Sequence, residues 1–251
     1  AANEGRERAM DKFNLTEDDL PYFRTLHSLA FRTLGLKKEN VMQREHYAKV
    51  GRETGLPVDY NEWDDEMTGL FTTKSDYLRI IQLAKLKNIT LEQQYNLKEH
   101  TQDVSVQKLK NLSSELESYK KAHGLIDYND MILDFIKSDA SPAFDVVFID
   151  EAQDLSLMQW NMAKSIWNKT EDSYIAGDDD QAIFRWAGAD VDSFIAQTGK
   201  FLKLTQSLRV PSVVHDVAMK IVKKISKRHH KEWKPKNKTG LLSYYHEFQD
   251  V

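Results

Sequence analysis

Apolar residues change their period several times along this chain, and each change marks an element. Val146-Val147-Phe148-Ile149 is an unbroken apolar run ending in Asp150-Glu151-Ala152-Gln153-Asp154; Tyr174-Ile175-Ala176 is a second, ending in Gly177-Asp178-Asp179-Asp180-Gln181. Short apolar runs without alternation are expected of strands buried on both faces of a parallel sheet. Between the runs, Leu157, Trp160, Ala163, Ile166 and Trp167 keep helical spacing behind Ser156, a good N-cap. This strand-helix-strand unit predicts parallel pairing with a right-handed crossover, hence an α/β class.

Residues 1 to about 38 carry two short helical patterns around a possible strand at Tyr22 to Leu26, with Gly35 placed to stop the second after Leu29, Ala30, Phe31 and Leu34. From there to Gly124 the chain is polar and reads as largely helical; Val106, Leu109, Leu112, Leu116 and Tyr119 form one stripe with Gly124 as its stop. Residues 39–124 are thus expected to be a helical insertion in an α/β core. The core resumes where Asp127 caps a helix burying Met131, Ile132, Phe135 and Ile136, and Pro142 interrupts before the first apolar strand. Farther on, Phe201 to Leu204 reads as a strand. Pro211 reads as the first residue of a helix burying Val213, Val214, Val217, Ala218, Ile221, Val222 and Ile225, and Leu241 to Tyr245 as another strand.

Composition narrows the function. The chain has 251 residues, 41% of them hydrophobic, enough for one or two domains with a sizeable core. Net charge is −4, so bulk electrostatics gives no nucleic-acid signature, and any such contact must be local. The best local patch is Lys223, Lys224, Lys227, Arg228, Lys231, Lys234, Lys236 and Lys238, which reads equally well as a solvated helix end. With no cysteine, disulfides and thiolate metal sites are excluded. No stretch approaches the roughly 18 to 20 apolar residues of a membrane span, and Ala1 to Phe13 are too charged for a signal peptide. A cytoplasmic location and no membrane partner are the expectation.

Ligands of parallel sheets lie beyond the carboxyl ends of the strands. Asp150 and Glu151 have the types and placement to hold Mg²⁺ beside phosphates and to activate water, and Gln181 can contact a terminal phosphate through its amide. An isolated Asp-Glu pair more often caps the helix after it. Four apolar residues directly before this pair, and a second acidic strand end after it, favour the phosphate site.

Asp150-Glu151-Ala152-Gln153-Asp154 and the run from Gly177 through Gln181-Ala182-Ile183-Phe184-Arg185-Trp186-Ala187-Gly188-Ala189 to Asp190 resemble motifs II and III of the UvrD/Rep-like superfamily-1 DNA helicases. Gln206-Ser207-Leu208-Arg209 resembles motif IV of that family, Thr25-Leu26-His27-Ser28-Leu29-Ala30 its early Thr-Phe-His-Ser motif, and Asn3 to Phe13 the helix of motif Ia. The match departs at Leu26, usually Phe in the family, and at Ala187, often Arg. The resemblance implies a RecA-like ATPase core with a parallel sheet: residues 1–38 and 125–204 as a first lobe, 39–124 as its helical insertion, 205–251 as the start of a second lobe. It implies ATP and Mg²⁺ as cofactors, with Mg²⁺ on Asp150, water activation by Glu151, phosphate sensing by Gln181 and a transition-state cation on Arg209. It also implies contact of Thr25, His27, Phe184 and Trp186 with single-stranded or partial-duplex DNA, base stacking on Trp186, and 3′→5′ movement.

A phosphate-cradling Gly-x-x-x-x-Gly-Lys-Ser/Thr loop is not found; the Gly199-Lys200 pair is followed by Phe201. The resemblance places that loop before motif Ia, so the chain is expected to be a helicase fragment that hydrolyses ATP poorly on its own. Two other readings compete. One is a non-catalytic nucleic-acid-binding or partner-binding module derived from a helicase. The other is a metal-dependent nuclease using Asp178, Asp179 and Asp180, weakened by the expectation that three consecutive carboxylates point apart.

Overall fold

A computed structural model describes residues 2–58, 73–100 and 103–243. Helix α1 (Ala2–Phe13) is followed by turns and by α2 (Leu26–Thr33), where Thr25 Oγ1 accepts the Ser28 N–H at 3.2 Å. Tyr22 to Leu26 is therefore no strand. Phe23 N–H donates to the Leu20 carbonyl, the Arg24 side chain to the Pro21 carbonyl, and Thr25 is committed to the cap. Gly35 turns the chain at φ 64°, a conformation glycine adopts without a Cβ penalty. Next come α3 (Arg44–Thr54), α4 (Asp76–Leu86), α5 (Leu91–Asn96) and α6 (Val106–His123). Leu109, Leu112 and Leu116 are buried along α6, which stops at Gly124 as its sequence predicts.

The side chain of Asp127 accepts the Asp130 N–H at 2.8 Å and opens α7 (Tyr128–Lys137), with Met131, Ile132 and Phe135 buried. Strand β1 (Val146–Ile149), α8 (Leu157–Trp167, capped by Ser156) and β2 (Asp172–Ile175) form the expected unit. β1 and β2 pair in parallel, Val146 opposite Asp172 and Ile149 opposite Ile175. Helix α9 (Val191–Ile195) and helix α10 (Ser212–Val222) follow. The chain is thus a mixed helix-strand protein with a small parallel sheet.

Two apolar clusters hold it together. One joins α3, α4 and α6 through Met42, Tyr47, Val50, Leu78, Ile80, Leu109 and Leu112; the other joins α2, α7 and α8 through Ala30, Met131, Ile132, Phe135, Met158 and Met162. The segment that carries the first cluster leaves and returns at one point: Ile126 N–H donates to the Asn40 carbonyl at 2.9 Å, and Met42 N–H to the Ile126 carbonyl at 2.8 Å.

Burial of β1 on both faces does not hold. Val147 packs on the second cluster, whereas Phe148 is 76% exposed and stacks on Tyr174 at 4.9 Å. The strand has a single partner among the described residues, so one face of an apolar run stays open. Phe201 to Leu204 forms no strand, and Leu204 is 92% exposed; an isolated bridge of Gln206 with Lys234 follows. Pro211 is the N-cap of α10 and lies outside the helix, and none of the apolar residues expected inside α10 is fully buried: Val213, Val217, Ala218 and Val222 are half-buried, Val214 and Ile221 are exposed, and Ile225 lies beyond the helix. Leu241 to Ser243 is irregular, and Tyr244 and Tyr245 lie outside the described residues. No helix is long and apolar enough to cross a membrane among the described residues.

Candidate functional site

The parallel pairing runs on past the strands and brings the two acidic ends together. Ala176 N–H donates to the Ile149 carbonyl at 2.8 Å, and Ala152 N–H to the Ala176 carbonyl at 3.0 Å. Asp150 and Glu151 are exposed at this edge. Asp150 Oδ1 accepts the Glu151 N–H at 2.9 Å, and Glu151 has φ 52°, a left-handed conformation uncommon outside glycine. The chain therefore turns sharply enough to leave both carboxylates at the strand end.

Gln153, which sequence reasoning passed over, ties the site together. Its buried amide donates to Glu151 Oε2 at 2.9 Å and to Asp154 Oδ2 at 3.2 Å, and its carbonyl oxygen accepts the Asp178 N–H at 2.9 Å. Gly177 is required beside it, since a Cβ there would lie 2.6 Å from Gln153 Oε1. Burial, and then the charge of Glu151, push the Asp154 carboxyl up from its ordinary value; its Oδ1 is buried without a partner.

In the second turn Gln181 Nε2 donates to Asp178 Oδ2. Lys231 Nζ lies 2.6 Å from Asp178 Oδ1 and also meets Asp179. Arg228 grips Asp180 through two N–H donors at 2.5 and 2.6 Å, and the His229 N–H donates to Asp179 Oδ2 at 2.5 Å. Burial pushes the Asp178 carboxyl up, but hydrogen bonds from Lys231 and Gln181 outweigh it and hold the group below its ordinary value. The expectation that the three carboxylates diverge is corrected: one oxygen from each falls within 4.8 Å of the others. The space among them belongs to Lys231. Three residues of the basic patch are engaged within the chain: Lys227 pairs with Asp192 at 3.0 Å, and Arg228 and Lys231 are committed to the acidic turn. Arg228 lies 48 residues from Asp180 and Lys231 lies 52 from Asp179 in sequence, separations that no local pattern announces.

Glu151 and Gln181 are thus joined through Gln153 and Asp178, and Asp150 sits beside them. Arg209 is not brought to them: it is exposed, and its side chain makes no hydrogen bond or ion pair with Asp150, Glu151 or Gln181. Trp186, 59% exposed, projects from the same loop as Gln181, while Phe184 is half-buried and its carbonyl accepts the N–H groups of Ala187 and Ala189 at 2.9 and 3.2 Å. Gly188 at φ 104° and the Arg185–Asp192 ion pair at 3.0 Å fix this loop. Thr25 is occupied as a cap. His27 lies edge-on to Tyr128 at 5.5 Å with Nε2 buried and unpartnered, and burial pushes its pKa down to about 4, so the ring is neutral at pH 7.

A chain with these paired acidic strand ends can be set beside known proteins. It is 27% identical over 135 residues to the ATP-dependent DNA helicase PcrA of Bacillus subtilis, covering 48% of this chain and 18% of that protein. It is 28% identical over 108 residues to PcrA of Staphylococcus epidermidis, covering 41% of this chain and 15% of the relative. The matches span under a fifth of the length of these curated relatives. The family model for the UvrD/REP helicase N-terminal domain matches residues 1–202, and the chain belongs to the UvrD/REP helicase family.

Proposed function

We propose that this chain is part of an ATP-dependent DNA helicase that couples ATP hydrolysis to 3′→5′ movement along single-stranded DNA. One observation carries the reading: a hydrogen-bonded line from Glu151 through Gln153 and Asp178 to Gln181, lying across the ends of two parallel strands. That is where open parallel sheets bind nucleotides. Residues 1–38 and 125–204 would form a first RecA-like lobe, 39–124 its helical insertion, and 205–251 the start of a second lobe. The separate apolar cluster of α3, α4 and α6, and the bonds of Asn40 and Met42 to Ile126, support the insertion.

The exposed carboxylates at the end of β1 are hard oxygen donors of the kind Mg²⁺ takes, so Asp150 would hold the ion. When bound, the ion supplies positive charge against the phosphate oxygens. Glu151 would orient and deprotonate the attacking water, and Gln181 would contact the terminal phosphate. Arg209 would offset transition-state charge, a role worth roughly 10³ to 10⁵ in rate in related chemistry. The sequence contains no phosphate-cradling loop, and positioning carries most of this catalysis, so the 251 residues alone would turn over ATP poorly. Thr25, His27, Phe184 and Trp186 would contact single-stranded or partial-duplex DNA, in the cytoplasm.

The test compares the isolated chain with the full-length protein in ATP hydrolysis and in unwinding of 3′-tailed and 5′-tailed duplexes. Unwinding of the 3′-tailed duplex by the full-length protein, abolished by Glu151→Gln, is expected. A full-length protein without ATP turnover would replace this reading with a non-catalytic binding module, and robust turnover by the isolated chain would overturn the deficiency.

A further inference from the structure

Consecutive Asp178, Asp179 and Asp180 are an unfavourable trio: like charges this close repel, and buried carboxylates need partners. Two of the side chains are nonetheless buried, Asp179 at 2% and Asp180 at 6% exposure. The cost is offset by one short segment. Arg228 makes a bidentate pair with Asp180, the geometry in which a guanidinium fork binds a carboxylate best. The His229 N–H and Lys231 Nζ both meet Asp179, and Lys231 also holds Asp178 Oδ1 at 2.6 Å. That leaves Asp178 Oδ2 to receive the Gln181 amide.

We infer that Lys231, supported by Arg228, is a positioning residue for Gln181: the segment from Arg228 to Lys231 clamps the acidic turn and so fixes the side chain that faces the nucleotide. Without the ammonium, the Asp178 carboxylate turns away from Asp179 and Gln181 loses its partner. The clamp joins residues on the two sides of position 205, the boundary between the proposed lobes, so movement of one lobe against the other is felt at Gln181 and, through the shared loop, at Trp186. The role of the clamp in turnover rests on the helicase reading; the clamp itself does not.

The experiment measures amide hydrogen exchange and DNA-stimulated ATP hydrolysis in the full-length protein for wild type, Lys231→Met, Lys231→Arg and the near-isosteric Asp178→Asn. Exchange across residues 177–188 is expected to quicken in Lys231→Met and Asp178→Asn, to stay slow in Lys231→Arg, and to be unchanged in α4 and α6, which report on folding. The kcat of Lys231→Met should fall about tenfold or more with KM for ATP moving less than about threefold, since positioning acts on the transition state more than on binding. Lys231→Arg should recover most of it. Unchanged exchange at 177–188 in both Lys231→Met and Asp178→Asn overturns the clamp. Quickened exchange with an unchanged kcat overturns its role in positioning Gln181. A wild type that hydrolyses no ATP removes the helicase reading alone, and the exchange result still decides the clamp.

Discussion

The side-chain carbonyl of Gln153 accepts the Asp178 backbone N–H at 2.9 Å, so a single buried side chain links the two acidic strand ends beyond their main-chain pairing. Gln153→Leu keeps much of the volume and leaves that N–H and the carboxylates of Glu151 and Asp154 without their donor or acceptor. Unsatisfied buried groups cost about 1 to 3 kcal/mol, which should lower the urea midpoint with little change in slope. Gln153→Glu should be worse, because it sets a third carboxylate against two others. A midpoint unchanged in Gln153→Leu would show that the link contributes nothing to stability.

Gly177→Ala tests the same contact from the other side. A Cβ there meets Gln153 Oε1 at 2.6 Å and the Phe194 ring at 2.9 Å, both on partly or fully buried side chains. Overpacking of this kind costs typically about 1 to 3 kcal/mol. The substitution should be destabilising in wild type and milder in a Gln153→Ala background, where the oxygen is gone; equal losses in both backgrounds would point to Phe194 as the whole obstacle.

Local signals in the sequence were enough for much of this fold. Gly35 and Gly124 stop helices, and Asp127 and Ser156 start them, because caps and left-handed turns depend on a few neighbouring residues. The acidic strand ends were legible from the apolar runs before them, and the parallel pairing of β1 with β2 from the strand-helix-strand order. Phe148 and the apolar face of α10 were not, since burial depends on tertiary neighbours that a local pattern does not name: Phe148 stays exposed beside Tyr174, and the apolar residues of α10 are at most half-buried. Phe201 to Leu204 failed as a strand because a strand needs a partner, which composition does not announce. At the site, Asp150, Glu151 and Gln181 could be named from their positions after apolar runs. Lys231 and Arg228 read only as a basic patch or a solvated helix end, because their acidic partners are remote in sequence.

Lys85 and Lys120 meet Asp127 and Asp130 between α4, α6 and α7, with Lys120 Nζ 2.9 Å and Lys85 Nζ 3.0 Å from Asp127 Oδ2. Burial pushes the Asp127 carboxyl up, but the two ammonium groups outweigh it and hold it well below its ordinary value; burial pushes Lys85 down, but Asp127 and Asp130 raise it overall. The carboxylate's contribution is present above its unfolded pKa of 3.8 and is lost as pH falls below that. The lysine's is present below 10.5 and is lost as pH rises above that. Asp127→Asn should cost several kcal/mol, about 3 to 5 where one member of a buried pair is removed, and should flatten the acid limb below pH 3.8. Chemical denaturation across pH checks both; an acid limb as steep in Asp127→Asn as in wild type would assign it to other carboxylates.

His27 contributes a separate acid limb. Its pKa falls from 6.5 unfolded to about 4 folded, so its neutral form stabilises the fold above pH 6.5 and that stability drains away as pH drops toward 4. His27→Phe keeps a ring against Tyr128 and cannot titrate. It should be more stable than wild type relative to pH 7 when both are compared at pH 5. Because the wild-type ring is uncharged at pH 7, the same substitution should leave the salt dependence of single-stranded DNA binding unchanged, since counterion release follows cationic contacts. A shallower salt slope would show that His27 binds DNA as a cation.

Trp186 and Gln181 share one loop held by Gly188, the Arg185–Asp192 pair and the clamp on Asp178 to Asp180. Trp186 is 59% exposed beside an exposed Ile183, where a fold gains little from keeping an indole. Stacking of a base on such a ring is worth about 1 to 3 kcal/mol, so Trp186→Ala should weaken single-stranded DNA binding by roughly tenfold or more. Stability should change little. On the helicase reading the fixed loop would also transmit the loss: in the full-length protein DNA-stimulated ATP turnover should fall much further than nucleotide affinity, because a base stacked on the ring would bias Gln181 and leave the ground-state nucleotide contacts alone. Equal losses in turnover and nucleotide affinity would mean that the loop carries no signal between base and phosphate, and that Trp186 supports the nucleotide site as a packing residue.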